Sequence, residues 1–499
     1  MDFITIKNNQ RISLQTIPVQ APFKFVQGIA DLMAAGEHIH CVSYFGYPSE
    51  DGIRLICCLA DDREGVIRVG ATSVKPGDTL ESLTVQYPAF QSFERELHED
   101  YGIAFPDHPW LKPVRYPKDR AHQANDIAHY PFYSIDSEEL HEVGVGPIHA
   151  GIIEPGHFRF ICNGEQILHL EIQLGYQHRG IEKLFLKKDR LLQRSILAES
   201  IAGDTAVGHS LAFAGVWESL CGFIPSERLQ FERAVALEME RMAVHTGDLS
   251  GICTDIAYQL GSSVFGRLRT PLINFFQSWC GNRFAKSLIR PGKTNFPLTP
   301  ELAGKWLEVA DAFEPDFTEM YDELSDLPTA LARFEKTGVV SADTALSIGM
   351  VGMAARASGL SRDIRLSHPQ GWFKDVVHQP VVKHHGDVFS RVQMRKEETL
   401  QSLGYLREYL RNFRPEVRQE ESLRSPEPSS LAVSLVEGWR GEICHCAVTG
   451  VNGELIRYKI KDPSFHNWTG LALAVRMNDI SDFPVCNKSF NLSYCGHDL

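Results

Sequence analysis

Hydrophobic and polar positions divide the chain into stretches of different rhythm. Up to about residue 120, short apolar, β-prone runs at 41–45 and 53–59 alternate with helical patterns at 29–35 and 92–101. That mixture predicts a small α/β module. Residues 93–103 are highly charged, with Gly102 as the helix stop, and Pro106-Asp107-His108-Pro109 makes a turn. A polar, irregular stretch at 121–143 reads as a linker. Gly144-Val145-Gly146-Pro147 then opens a β-hairpin of 157–162 and 167–174, with the Asn163-Gly164 pair at its turn.

Helical spacing dominates from 180 to about 360. Residues 227–249 carry apolar side chains at 3- and 4-step intervals behind the cap residue Ser226, and 300–324, 341–357 and 393–412 read similarly. Residues 419–430, rich in Glu, Ser and Pro, form an exposed loop. Strands follow at 431–436, 444–448 and 454–459, with a turn at Asn452-Gly453. The pattern predicts an α+β chain: an α/β module over 1–120, a linker over 121–143, and a mainly helical domain over 144–499 with an opening hairpin and C-terminal strands.

Composition narrows the functional classes. A chain of 499 residues needs more than one core. Its formal charge of −13 argues against nucleic acid or an anionic membrane surface as main partner. The start lacks a basic stretch followed by an apolar one, so no signal peptide is read. The apolar run around 345–355 falls short of the ~20 residues that span a bilayer, so membrane association must come through a partner. The 11 cysteines include no Cys-x-x-Cys, which speaks against a zinc ribbon or the usual iron–sulfur run. An odd count without a leader suits free thiols in a reducing cytoplasm.

Several separated segments, in order, resemble one superfamily. They are Glu154-Pro155-Gly156-His157-Phe158-Arg159, Tyr176-Gln177-His178-Arg179-Gly180-Ile181-Glu182-Lys183, Glu238-Met239-Glu240-Arg241-Met242-Ala243-Val244-His245, the stretch 351–369 around Arg356 and Arg365, Gly386-Asp387-Val388-Phe389-Ser390-Arg391, and Glu437-Gly438-Trp439-Arg440-Gly441-Glu442. The superfamily joins [NiFe]-hydrogenase large subunits with the quinone-site subunit of respiratory complex I. The Phe-Glu-Arg-Glu segment at 93–96 and His108-Pro109 resemble the small peripheral-arm subunit of complex I, which formate hydrogenlyase and hydrogenase-4 fuse in this order.

At the superfamily's metal-binding segments, the resemblance implies a loss. Aligned without gaps, the four nickel-binding cysteines fall on Ala202, Thr205, Ser493 and Gly496. Methyl, hydroxyl and hydrogen cannot replace soft thiolates, so nickel is not expected and no metal ligands are assigned. A mixed site of Asp204, His209, Cys495 and His497 is the remaining alternative. The matching Glu182 would be the first proton acceptor of a hydrogenase; the plainer reading is an ion pair with Arg179, His178 or a helix end. His209, Arg356 and Arg365 are the other catalytic candidates. Without iron the two arginines need carboxylate partners, for which Asp363 and Asp204 are candidates. In complex I a loop histidine and a tyrosine approach the quinone; the histidine maps to His149 or His157, and the tyrosine to Gly203.

The resemblance thus implies a subunit of an energy-converting-hydrogenase-related complex, on the cytoplasmic side of the inner membrane. It implies an iron–sulfur small subunit, which would hold the clusters, and antiporter-like and quinone-site-type membrane subunits as partners. NADH dehydrogenase-like electron transfer to a quinone or another small acceptor, coupled to ion translocation, is the first reading. A non-redox coupling subunit is the second, and a genuine nickel–iron hydrogenase the third.

Overall fold

The computed structural model describes residues 3–122, 126–151, 153–411, 413 and 422–499. Residues 123–125 of the expected linker, Asn412 and residues 419–421 of the expected loop lie outside the described residues.

The first part is an antiparallel sheet in the order Ile4–Ile6, Val66–Val74, Gly52–Asp61, Ile39–Ser49, with Val19–Gln20 added in parallel to Val66–Val74. The helix Pro22–Met33, started by a proline whose missing N–H costs nothing there, buries Phe25, Val26, Ile29 and Leu32 against one face. The helix expected at 29–35 therefore begins seven residues earlier. A second helix, Gln91–Tyr101, covers the same face and stops at Gly102 in the left-handed conformation.

The other face, with Val42, Phe45, Ile56 and Val69, packs on a second sheet through Leu431, Val433, Leu435 and Cys444. That sheet runs Gln10–Ser13, Ser430–Glu437, Glu442–Thr449, Leu455–Lys461. Its edge strand comes from the start of the chain: Ile12 opposes Leu431. The first 120 residues thus share a core and a sheet with the last 80.

The charged helix Gln91–Tyr101 makes the seam. Its Glu94, Glu96 and Glu99 are buried. Glu94 accepts from the Ser82 and Thr84 hydroxyls and the Leu83 N–H, each at 2.7 Å. Glu99 takes the backbone N–H groups of Arg115 and Tyr116. Glu96 binds Lys459 of the second sheet at 2.6 Å and Arg115.

The second sheet's far face carries the helices Ile181–Lys187 and Ala206–Cys221, with Phe185 and Phe213 on Tyr458. Beyond lies a bundle of Glu227–Asp255, Gln259–Cys280, Pro300–Asp326 and Val388–Arg411. Ser226 caps the central helix Glu227–Asp255 by accepting from the Leu229 N–H at 3.2 Å. From Phe231 to Thr246 every residue of this helix is buried, charged ones included. A third sheet, His141–Val145, His157–Asn163 and Gln166–Gln173, includes the expected hairpin, and Gly164 turns it at φ +58°. Its first strand takes up residues 141–143 of the expected linker.

One expected helix is not continuous. Residues 341–357 form Ala342–Ser347 and Gly352–Ala357, separated at Gly349 (φ +71°) and Gly352 (φ +69°). A side chain at Gly352 would strike the backbone of Arg440 and Gly441, so the break lets the loop 438–441 approach.

Candidate functional site

The two segments of interest meet at Asp462, just past the strand Leu455–Lys461. One leads into the helix Ala206–Cys221; the other is the final turn Tyr494–Asp498, capped by Ser493, whose hydroxyl accepts the Gly496 N–H at 2.9 Å. Ala202 presents a fully buried methyl group. The Thr205 hydroxyl accepts from Trp439 Nε1 at 3.1 Å and Arg440 Nη1 at 3.2 Å, and donates to Asp204 at 3.0 Å. Gly496 faces the Asp462 carboxyl group. A Cβ there would stand 2.7 Å from Asp462 Cγ and 2.8 and 2.9 Å from its oxygens.

Two arginines clasp the segments. Arg179 donates to the carbonyls of Ser200 (2.6 Å), Ile201 (2.8 Å) and Cys495 (3.0 Å). Arg440 pairs with Asp204 at 2.7 Å and donates to Asn491 O at 2.7 Å, with its guanidinium over the Trp439 ring. The residues present do not fit a thiolate-held nickel–iron centre: Ala202 and Gly496 carry no donor and the Thr205 hydroxyl is already engaged. The neighbouring Cys495 thiol, 3.4 Å from the Ser493 hydroxyl, is pushed by burial up to about 11, so it stays protonated.

The mixed metal site does not assemble. Asp204 is taken by Arg440, His209 by Asp462, Cys495 by Ser493 and His497 by Asp498. Among the described residues no group of three or more His, Cys, Asp and Glu is placed to hold a metal ion.

His209 belongs to a buried hydrogen-bonded chain. Its Nε2 lies 3.0 Å from Asp462 Oδ2, its Nδ1 3.1 Å from His445 Nε2, and His445 Nδ1 2.8 Å from the Tyr458 hydroxyl. Burial opposes ionisation of Asp462, but its bond to His209 prevails and holds it at about 2. An ionised carboxylate only accepts, so His209 donates to it, His445 donates to His209, and Tyr458 donates to His445. Burial pushes His445 well below its ordinary value, consistent with a neutral ring.

Arg356 and Arg365 lie in a second buried network. Arg356 pairs with Glu398 (2.7 Å), Glu437 (2.7 Å) and Asp363 (3.5 Å); Arg365 pairs with Asp363 (2.7 Å) and Glu238 (3.1 Å). Asp363 is thus the partner of both, and Asp204 of neither. His245 binds Glu398 at 2.8 Å and packs edge-on against Trp439, linking this network to Arg440. Burial and the Asp363 charge raise Glu437 to about 7 despite Arg356. Burial likewise raises Glu240 to about 8, although it accepts the Val207 and Gly208 N–H groups.

Glu182 sits apart from both. It pairs with Arg457 (2.9 Å) and Lys459 (3.3 Å) and accepts the Ile460 N–H at 2.9 Å, rather than meeting Arg179 or His178. Burial is outweighed by Lys459, Arg457 and Arg115, and Glu182 is held at about 2.

Beside Asp204 opens a cavity of about 750 Å³. It lies between the central helix, the helices Gln259–Cys280 and Phe483–Phe490, and the hairpin loop. His149 lines it; His157 does not, and packs on Phe132. A Cβ on Gly203 would meet nothing within 4 Å. The cavity has another tyrosine: the Tyr494 hydroxyl lies 3.4 Å from His149 Nε2. Its ring occupies space that a Cβ on Gly156 would fill. Tyr494 escaped the sequence reading because it sits in the C-terminal segment, one residue after Ser493, and aligns with no acceptor-binding position. His445 and Tyr458, within strands, and Asp462, just past one, escaped because they reach His209 only through the packing of its helix on the sheet.

The respiratory-chain NADH dehydrogenase 30 kDa subunit family matches residues 19–131, and the corresponding 49 kDa subunit family matches 255–430. Hydrogenase-4 component G of Escherichia coli is 27% identical over 430 residues, 83% of this chain and 74% of that protein. Formate hydrogenlyase subunit 5 of the same organism is 28% identical over 449 residues, 86% and 78%. A chain of the membrane-bound sulfane sulfur reductase, an archaeal respiratory membrane complex, superposes with a TM-score of 0.68 at 20% identity, covering 74% of this chain and 100% of that one. Both parts of the fold and the matched families agree: the chain belongs to the superfamily of complex I and [NiFe]-hydrogenase large subunits, with a 30 kDa-type module at its N-terminal end.

Proposed function

We propose that this chain is the acceptor-reducing large subunit of a membrane-associated complex that works without a nickel–iron centre. Its relatives are subunits of hydrogenase and complex I assemblies, and the chain is a large subunit of a complex of that kind, with membrane subunits as partners. Among the described residues no helix is long and apolar enough to cross a membrane, which supports a peripheral position. Electrons come from an iron–sulfur partner subunit. The acceptor, a quinone or another small molecule, enters the cavity beside Asp204.

The observation that carries the reading is Asp462 filling the space in front of Gly496, together with an open cavity that holds a histidine–tyrosine pair of its own. The site has given up metal donors and kept room for a small molecule. His149, which burial pushes below its ordinary value, accepts hydrogen bonds as a neutral ring, and Tyr494 supplies a donor. Together they suit an acceptor oxygen that gains a proton as it gains electrons.

Oxidation of reduced complex by added quinone or another small acceptor tests this. Tyr494→Phe and His149→Gln are expected to slow turnover with the acceptor while leaving reduction of the partner's clusters unchanged. Rates unaffected in both variants would remove the cavity from the reaction. The second reading, a coupling subunit without an acceptor of its own, draws support from Glu437, poised near neutrality among Arg356, Asp363 and Arg365. Ion flux by complex that transfers electrons to no acceptor would favour it.

A further inference from the structure

The cavity's charges are not balanced in the way its carboxylates suggest. Asp204 and Asp248 are neutralised by Arg440 and Arg395. Glu154 accepts the Cys495 N–H at 3.1 Å. Asp255 makes no ion pair with Lys488; burial raises it, and the Lys488 charge opposes that only in part. Two cations on the same wall have no such partner. Arg269 and Lys488 make no ion pair or hydrogen bond among the described residues, and Arg269 Nε is buried without an acceptor. A buried guanidinium nitrogen left unmatched costs free energy unless something outside the chain supplies the acceptor.

Both cations are brought in by glycines. Gly247 and Gly251 stand one turn apart on the central helix. A Cβ on Gly247 would lie 2.9 Å from Arg269 Cδ and Nε, and one on Gly251 would run into the Lys488 side chain. Glycine in a helix interior costs about 1 kcal/mol against alanine. Here two of them make a shallow notch that lets Arg269, from Gln259–Cys280, and Lys488, from Phe483–Phe490, lie flat against the helix wall.

Resting on the reading that an acceptor enters this cavity, we propose that the acceptor is a small anion whose oxyanion-type group bridges the Arg269 guanidinium and the Lys488 ammonium. The rest of the molecule extends towards His149 and Tyr494. A neutral quinone would leave both cations unmatched; an anion accepts charge-assisted hydrogen bonds from them.

Two probes of one ring system separate charge from shape: 1,4-naphthoquinone and 1,4-naphthoquinone-2-sulfonate. Binding to the intact purified complex is measured by calorimetry at low and high salt. The sulfonate is expected to bind about tenfold tighter at low salt. Arg269→Gln and Lys488→Gln, both at half-buried side chains, are expected to erase that preference and leave the neutral probe unchanged; Lys488→Arg retains it. Equal binding of both probes, unmoved by the variants, overturns the anion and leaves the cavity reading standing. Binding of neither probe overturns both. Displacement of the sulfonate by phosphatidylglycerol, with no electron transfer to it, assigns the cations to a lipid headgroup and overturns the acceptor.

Discussion

Replacing Gly496 by alanine adds one methyl group at the point where the two loop segments meet. That methyl would sit 2.7 Å from Asp462 Cγ, and both Asp462 oxygens are within 2.9 Å, so the carboxyl group must move. Asp462 is fully buried and holds the His209 ring at 3.0 Å and the Ser464 N–H at 2.8 Å. Overpacking of this kind costs about 1–3 kcal/mol. Loosening a bond to a buried charge adds about 1.5–3 kcal/mol. A total near 4 kcal/mol corresponds to a fall of about 4 °C in Tm for a chain of this size. The assay is thermal unfolding of the purified complex for Gly496→Ala, Asp462→Ala and the double variant. With Asp462 shortened, the added methyl has room, so the double variant is expected to be no less stable than Asp462→Ala alone. Full additivity, or no cost of Gly496→Ala in the wild-type background, would refute the claim that Asp462 occupies the old ligand space.

Arg356→Ala leaves Glu398 and Glu437 buried without their shared cation, and should lower stability by about 3–5 kcal/mol, read as lost soluble complex and a lower melting temperature. Glu240 is raised from its ordinary value to about 8 by burial. The native state therefore binds more protons than the unfolded chain between about pH 4.5 and 8, and stability contributed by Glu240 is lost as pH rises through that window. Glu240→Gln should flatten the decline in thermal scans over that range; an unchanged slope would show that Glu240 is ionised in the folded protein. Glu182→Gln should weaken the bonding to Arg457 and Lys459 and lower the melting temperature, yet leave the pH profile of electron transfer unmoved. A displaced profile would restore Glu182 to a proton path.

Local chemistry made much of the fold readable. Ser226 and Gly102 mark helix ends by capping, and Asn163-Gly164 closes its hairpin, because each acts over a few residues. The break at Gly349–Gly352 was not readable, since it answers to a loop 90 residues later. Nor was the pairing of Gln10–Ser13 with Ser430–Glu437, which depends on where the chain returns. Periodicity says least about the charged residues. Glu94, Glu96 and Glu99, and Glu238, Glu240 and Arg241, look like solvated faces in one dimension and are buried in three. They are buried because each finds a partner from a distant segment: Lys459 for Glu96, Arg365 for Glu238.

The candidate site divides the same way. The absence of cysteine at 202, 205, 493 and 496 is visible in the letters. What took over the space is not: Asp462, Arg179 and Arg440 reach it from three other parts of the chain. Asp363 was a legible partner for Arg365, two residues away, whereas Glu398 and Glu437 became partners of Arg356 only through the packing of the bundle on the sheet. Arg269 and Lys488 carry no motif; they stand out only where the glycine notch brings them to one wall.

Infrared spectroscopy combined with elemental analysis of the intact complex tests the central claim most directly. Without thiolates at the four positions, and with a carboxylate in the way of the fourth, the complex should show iron from its clusters, no stoichiometric nickel, and no stretching bands of iron-bound carbonyl or cyanide. Such bands together with one nickel per large subunit would contradict it.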